Sequence, residues 1–142
     1  MSETPPLNVL LVEDDDVAAE AVMRSMQRAG VPCAITWVED GQAALDVLRE
    51  KDTQRSAPRP RLILLDLNMP RMNGFEFLEA ARADPLLKDE VVFVLTTSAA
   101  DTDRSRAYNE NVAGYMVKSS VGPQFAKLTQ LLDGYRRAVQ LP

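Results

Sequence analysis

The 142-residue chain is expected to form an α/β domain: a five-stranded parallel sheet, doubly wound, in the order (βα)5. Two patterns carry this expectation. Five short apolar runs, each bounded by turn residues, have the length and composition of buried strands. Between them lie stretches whose apolar residues recur three and four positions apart, as on one helix face. Strict alternation of the two patterns requires crossovers that return in the same direction, and so a parallel sheet with helices on both faces.

Residues 1–7 are polar and Pro-rich and read as a disordered N-terminal arm, leaving 8–142 as one domain with no second, effector unit. Asn8 to Val12 is the first strand. Glu13-Asp14-Asp15-Asp16 follows at once, with Asp15 or Asp16 suited to cap a helix carrying Ala18, Val22, Met26 and Ala29. Gly30 ends that helix. Ala34 to Val38 is a second strand, rich in β-branched and aromatic residues, and Asp40-Gly41 opens a helix with Ala44, Leu45 and Leu48. Lys51 to Pro60 reads as a polar surface insertion, longer than most connections of this kind.

The central run, Leu62 to Leu65, delivers Asp66 at its C-terminal end and then breaks in Asn68-Met69-Pro70-Arg71-Met72-Asn73-Gly74. Asn73 is the better cap for the helix that runs to Ala83, because Glu76 completes a capping box three positions on. Asp66 is left without an obvious structural task. Asp84-Pro85 stops the helix. Val91 to Leu95 is a fourth strand leading into Thr96-Thr97-Ser98. Residues 101–111 are weakly helical and poor in apolar side chains. Ala113 to Val117 is a fifth strand ending at Lys118, and Pro123 suits the first turn of a last helix. That helix carries Phe125, Leu128, Leu132, Tyr135 and Val139, with Gly134 a possible early stop.

In a parallel sheet the residues just after the strands share one rim, where ligands bind. Glu13, Asp14, Asp66, Thr96 and Lys118 all follow strands. Three converging carboxylates repel and require a cation. Oxygen ligands without His or Cys select a hard ion, Mg²⁺ or Mn²⁺. A carboxylate can act as nucleophile toward phosphorus, and the ion and the Lys118 ammonium would neutralise the developing charge. Each residue alone has a plainer reading: Asp66 a cap, Glu13 and Asp14 solvated acids favoured by a helix dipole, Lys118 a surface lysine, Thr96 a strand residue.

These residues resemble the receiver domain of two-component response regulators, whose fold is flavodoxin-like. The matching pieces are V-E-D-D at Val12–Asp15, L-D-L-N-M-P-R-M-N-G at Leu65–Gly74, L-T-T-S at Leu95–Ser98 and G-Y-M-V-K at Gly114–Lys118. The resemblance spans roughly residues 8–140. It implies Asp66 as the acceptor of a phosphoryl group from a sensor histidine kinase, and Glu13 and Asp14 as the acidic pair that holds Mg²⁺. The backbone carbonyl of Asn68 would complete the metal site. Thr96 matches the switch hydroxyl, Tyr115 the switch aromatic and Lys118 the family's lysine. Ser119 stands where the family has a cis proline, and a trans peptide is expected there. The Lys-Ser pair, the Thr-Thr-Ser run and the long loop before the third strand are similar to single-domain regulators that partner bacterial phytochrome kinases.

Composition bounds the alternatives. With no histidine, His-based catalysis and His metal ligation are excluded. A formal charge of -5 and a pI near 4.8 argue against nucleic-acid and anionic-membrane partners. No apolar stretch spans a bilayer and no signal peptide is evident, so a cytoplasmic location is expected. Cys33, the one cysteine, reads as a core thiol. Leu131, Ala138 and Leu141 lie off the last helix's packing stripe and suggest a homodimer through that helix and the fifth strand. An aspartate-nucleophile phosphatase would want a second acid two residues after Asp66, where Asn68 stands. A nonphosphorylatable interaction module of the same fold is a further alternative. On the receiver reading the protein is not an enzyme in the usual sense.

Overall fold

The structure, a computed structural model, describes residues 6–142. Its strands are β1 (Leu7–Val12), β2 (Cys33–Val38), β3 (Arg61–Leu65), β4 (Val92–Thr96) and β5 (Gly114–Val117). Its helices are α1 (Asp16–Arg28), α2 (Gly41–Leu48), α3 (Gly74–Ala83), α4 (Asp101–Asn109) and α5 (Ala126–Ala138). The five strands are parallel in the order β2-β1-β3-β4-β5. This is the expected doubly wound (βα)5 sheet.

Strand alternation divides the core in two. Leu10, Val12, Ile63, Leu65, Val92 and Val94 face α2 and α3. Val9, Leu11, Leu62, Leu64, Phe93 and Leu95 face α1 and α5, meeting Ala19, Met26, Leu128 and Leu132. Both faces of β3 are buried, which explains its unbroken apolar sequence.

The local signals at helix starts behave as expected. Asp15 caps α1 through its side chain, Asp40 caps α2, and Asn73 and Glu76 form a reciprocal box at α3. Several boundaries differ. Leu7 belongs to β1 rather than to the arm, with its amide bonded to the Pro32 carbonyl at 2.9 Å; the rest of the expected arm, 1–5, lies outside the described residues. Pro123 occupies a short 3-10 turn and not the first turn of α5. Gln124 and Phe125 adopt left-handed φ of 55° and 53°, so an α-helix cannot begin before Ala126. Gly134 does not end α5, which continues to Ala138; Val139 turns extended and leaves the packing stripe. Leu141 packs partly buried against the α1–α5 core and so adds less free surface than expected. Cys33 is half-buried, and burial raises its thiol pKa.

The 51–60 segment is more than a surface insertion. The Ser56 carbonyl accepts from Thr36 Oγ1 at 2.7 Å and Arg55 Nη1 donates to the Trp37 carbonyl at 3.2 Å. The loop thereby lies along the outer edge of β2 and satisfies one outward carbonyl, that of Trp37, which would otherwise be unpaired. At the N-terminal rim Arg61 and Glu90 form a two-pronged buried ion pair at 2.9 and 2.8 Å.

Candidate functional site

The strand order reverses between β1 and β3, so the crevice at their C-terminal ends is the place where a ligand can reach the sheet. Glu13 and Asp14 follow β1 and Asp66 follows β3. Their backbones are fixed by continuation of the ladders: the Glu13 amide donates to Val38 O and the Asp66 amide to Val12 O, each at 3.0 Å. Carboxylate oxygens of Glu13, Asp14 and Asp66 all lie within 4.8 Å of one another. Glu13 and Asp66 are buried and Asp14 is exposed.

Lys118, at the end of β5, reaches across to this group. Its Nζ donates to Glu13 Oε1 at 2.5 Å and to Asp66 Oδ2 at 3.4 Å. The Asn68 amide donates to Asp66 Oδ1 at 3.3 Å. Thr96 is fully buried at the end of β4, and its Oγ1 has no hydrogen-bond partner. Tyr115 is half-buried and donates from its hydroxyl to the Ser98 carbonyl at 2.9 Å, tying β5 to the loop after β4. Ser98 Oγ in turn donates to Asp103 of α4 at 2.6 Å. The Lys118–Ser119 peptide is trans; among the described residues the cis bond is Arg59–Pro60.

The electrostatics follow from this packing. Burial pushes the Glu13 carboxyl up to about 7, and the nearby Asp66 adds to the rise against the lowering influence of Lys118. Burial pulls the Lys118 ammonium down, but its bond to Glu13 and the two negative charges outweigh that and hold it above its ordinary value. Burial also raises the Tyr115 hydroxyl, more than its Ser98 bond lowers it. A divalent ion binding here would displace the Glu13 proton, and clustered carboxylate oxygens without His or Cys are the donors that a hard ion takes. The residues present fit such an ion: Glu13, Asp14 and Asp66 offer oxygens, and the Asn68 backbone lies beside them.

Two contacts were not legible in the sequence. The Trp37 indole donates to the Glu13 carbonyl at 2.7 Å, clamping the residue after β1 from the neighbouring strand. Asp40 and Gly41 at the head of α2 touch the loop after β3. The signals available, a single tryptophan and an Asp-Gly pair, carried no hint of these partners.

A family model for the response regulator receiver domain matches residues 9–132. The chain belongs to the response regulator receiver family. It is a receiver domain of a two-component system, as its four motifs implied. Response regulator Rcp1 of Synechocystis sp. is 34% identical over 131 residues, covering 92% of this receiver domain and 89% of that protein. The Mn(2+)-bound form of Rcp1 matches it with a TM-score of 0.82 at 33% identity, covering 97% of this chain and 99% of that one. The phosphorylated cyanobacterial phytochrome response regulator RcpA matches with a TM-score of 0.79 at 32% identity, over 97% and 99% of the two chains. The probable methanogenesis regulatory protein FilR2 of Methanothrix harundinacea (strain 6Ac) is 42% identical over 114 residues, 80% of this chain and 72% of that protein. No helix among the described residues is long and apolar enough to cross a membrane.

Proposed function

We propose that this receiver domain accepts a phosphoryl group on Asp66 from a phytochrome-type sensor histidine kinase in the cytoplasm, and signals by repacking its 96–118 face. One observation carries the reading: three carboxylates within 4.8 Å of one another, two of them, Glu13 and Asp66, bridged by the Lys118 ammonium, on the rim where β4 ends in a buried Thr96 hydroxyl with no partner. Glu13, Asp14, Asp66 and the Asn68 backbone carbonyl would hold Mg²⁺, or Mn²⁺ as in the Rcp1 structure. Bound there, the ion neutralises charge on the phosphoryl oxygens.

An Asp66 carboxylate oxygen forms the new O–P bond as the P–N bond of the phosphohistidine breaks, the electron pair leaving with the imidazole nitrogen. Lys118 stands within reach of the added charge. The Thr96 hydroxyl gains the acceptor it lacks, and its approach draws on the loop that Tyr115 holds through the Ser98 carbonyl. The helix beyond buries little: Ala107 is the buried residue of α4, and its other ties are polar or cationic, Asp103 to Ser98 and Arg106 to Glu79 and the Phe75 ring. A segment with so few buried apolar contacts can respond to a change of this size. No separate metabolite is turned over on this reading.

The domain further pairs with a second copy through α5 and β5. Exposed Leu131 on α5 and the four half-exposed residues of β5 supply the surface, while the 51–60 loop bonds to Thr36 and Trp37 at the opposite sheet edge. Light scattering tests this; a monomer at high concentration both with and without phosphorylation would refute it. The central experiment is incubation with acetyl phosphate, with and without Mg²⁺, followed by intact-mass analysis. One phosphoryl group should appear on the wild type with metal and none on Asp66→Asn.

A further inference from the structure

Asp40 takes no part in the site just described, yet it is 1% exposed. Its Oδ1 accepts from the Ala43 amide at 2.8 Å and caps α2. Its Oδ2 is buried without a hydrogen-bond partner, and the group facing it is the Arg71 guanidinium. A buried carboxylate oxygen lacking hydrogen bonds is unfavourable unless a counter-charge stands close. Arg71 answers that demand from a left-handed backbone, φ 62°, that non-glycine residues adopt at a cost.

The next residue makes a second contact with the same loop. The Gly41 amide donates to the Met72 carbonyl at 3.0 Å. A Cβ at Gly41 would come within 2.9 Å of that carbonyl oxygen and 2.8 Å of Met72 Cγ, so glycine is what allows the approach. At the loop's base the Gly74 amide donates to Leu67 O at 3.0 Å. The loop is therefore closed on itself at its root and moored to α2 at its tip. Between the two anchors lies Asn68, whose amide touches the Asp66 carboxylate.

We infer that Asp40 is a positioning residue for the acceptor site. Through Arg71, with Gly41 on Met72 beside it, it holds the 68–73 loop so that the Asn68 backbone faces Asp66 and the divalent ion. This rests on the acceptor reading given above and adds what keeps the loop side of the site in register. Outer partners that orient ligands of a metal often govern its affinity as strongly as the ligands do.

The test uses Arg71→Ala, Arg71→Lys and Asp40→Asn, the last keeping an oxygen for the α2 cap. Calorimetric titration of MgCl₂ into each unphosphorylated protein should give a dissociation constant about three- to tenfold higher for Arg71→Ala and Asp40→Asn, and Arg71→Lys should recover most of the loss. Amide exchange at Asn68 and Gly41 should speed up in the same two variants. Arg71 is 69% exposed at its side chain, so the alanine variant opens no core cavity, and Asp40→Asn leaves no buried charge unpaired should Arg71→Ala lose stability. Magnesium affinities within about twofold of wild type in both variants would overturn the inference, whatever happens to their melting temperatures. If wild type itself takes up no phosphoryl group, the acceptor reading fails separately, and unchanged exchange at Asn68 would then still refute the mooring.

Discussion

Raising the pH from about 5 to about 8 without divalent metal should destabilise this receiver domain, and Glu13→Gln should remove the effect. Burial holds the Glu13 carboxyl up at about 7, against an ordinary 4.5. Above 4.5 the unfolded chain has released this proton while the folded one keeps it, so stability falls with rising pH until the native group ionises near 7. The full span corresponds to about 3 kcal/mol, of which about 2 kcal/mol falls between pH 5 and 8. The window is clear of the other shifted groups. Asp52, Asp84 and Asp133 are held below 3.8, so the stability they contribute is lost only on acidification below that value. Cys33, Tyr115 and Lys118 are raised from 9.0, 10.0 and 10.5, and theirs is lost only at higher pH. There is no histidine to intrude. Urea unfolding in EDTA, followed by the emission of the single tryptophan, Trp37, measures the change. Saturating Mg²⁺ should restore stability at pH 8, because the ion replaces the proton. A flat or rising wild-type profile, or an equal fall in Glu13→Gln, would refute the reasoning.

Three other outcomes follow from the packing. Thr96→Val removes a buried hydroxyl that has no partner, so unfolding stability should hold or rise by about 1 kcal/mol; acetyl phosphate should still add mass, while amide NMR shifts across residues 97–117 on phosphorylation should shrink. Gly74→Ala puts a Cβ 2.6 Å from the Asp66 carbonyl oxygen and 2.7 Å from Leu67 Cα. Because backbone must move, we expect a loss of about 1–3 kcal/mol in urea unfolding and slower phosphorylation. Glu90→Ala leaves the Arg61 guanidinium, 7% exposed at its side chain, without its partner. That should cost about 3–5 kcal/mol in urea unfolding and leave calorimetric Mg²⁺ affinity unchanged, since the pair sits at the opposite rim.

What could be read along the chain was set by near neighbours. The unbroken run before Asp66, the Asn73–Glu76 box and the helix opening at Asp40-Gly41 depend on residues within a few positions, and local periodicity and hydrogen-bond reach determine them. The end of each strand follows from the same patterns, and with it the rim on which Glu13, Asp14, Asp66, Thr96 and Lys118 meet. The start of α5 was not legible, because left-handed Gln124 and Phe125 carry no compositional mark. Nor was the return of the 51–60 loop onto β2.

Local patterns along the chain suffice for the elements, their order and the set of polar groups at their ends. The partners those groups take arise from the folded arrangement: Lys118 on Glu13 across 105 residues, Trp37 on the Glu13 carbonyl, Arg71 against Asp40. Such pairs form because the order β2-β1-β3-β4-β5 of parallel strands brings every strand's C-terminal end to one rim, and the closeness that sheet order creates leaves no periodic trace along the chain. Burial likewise belongs to the fold: a glutamate following a strand becomes one that keeps its proton near neutrality only when helices and sheet have closed around it.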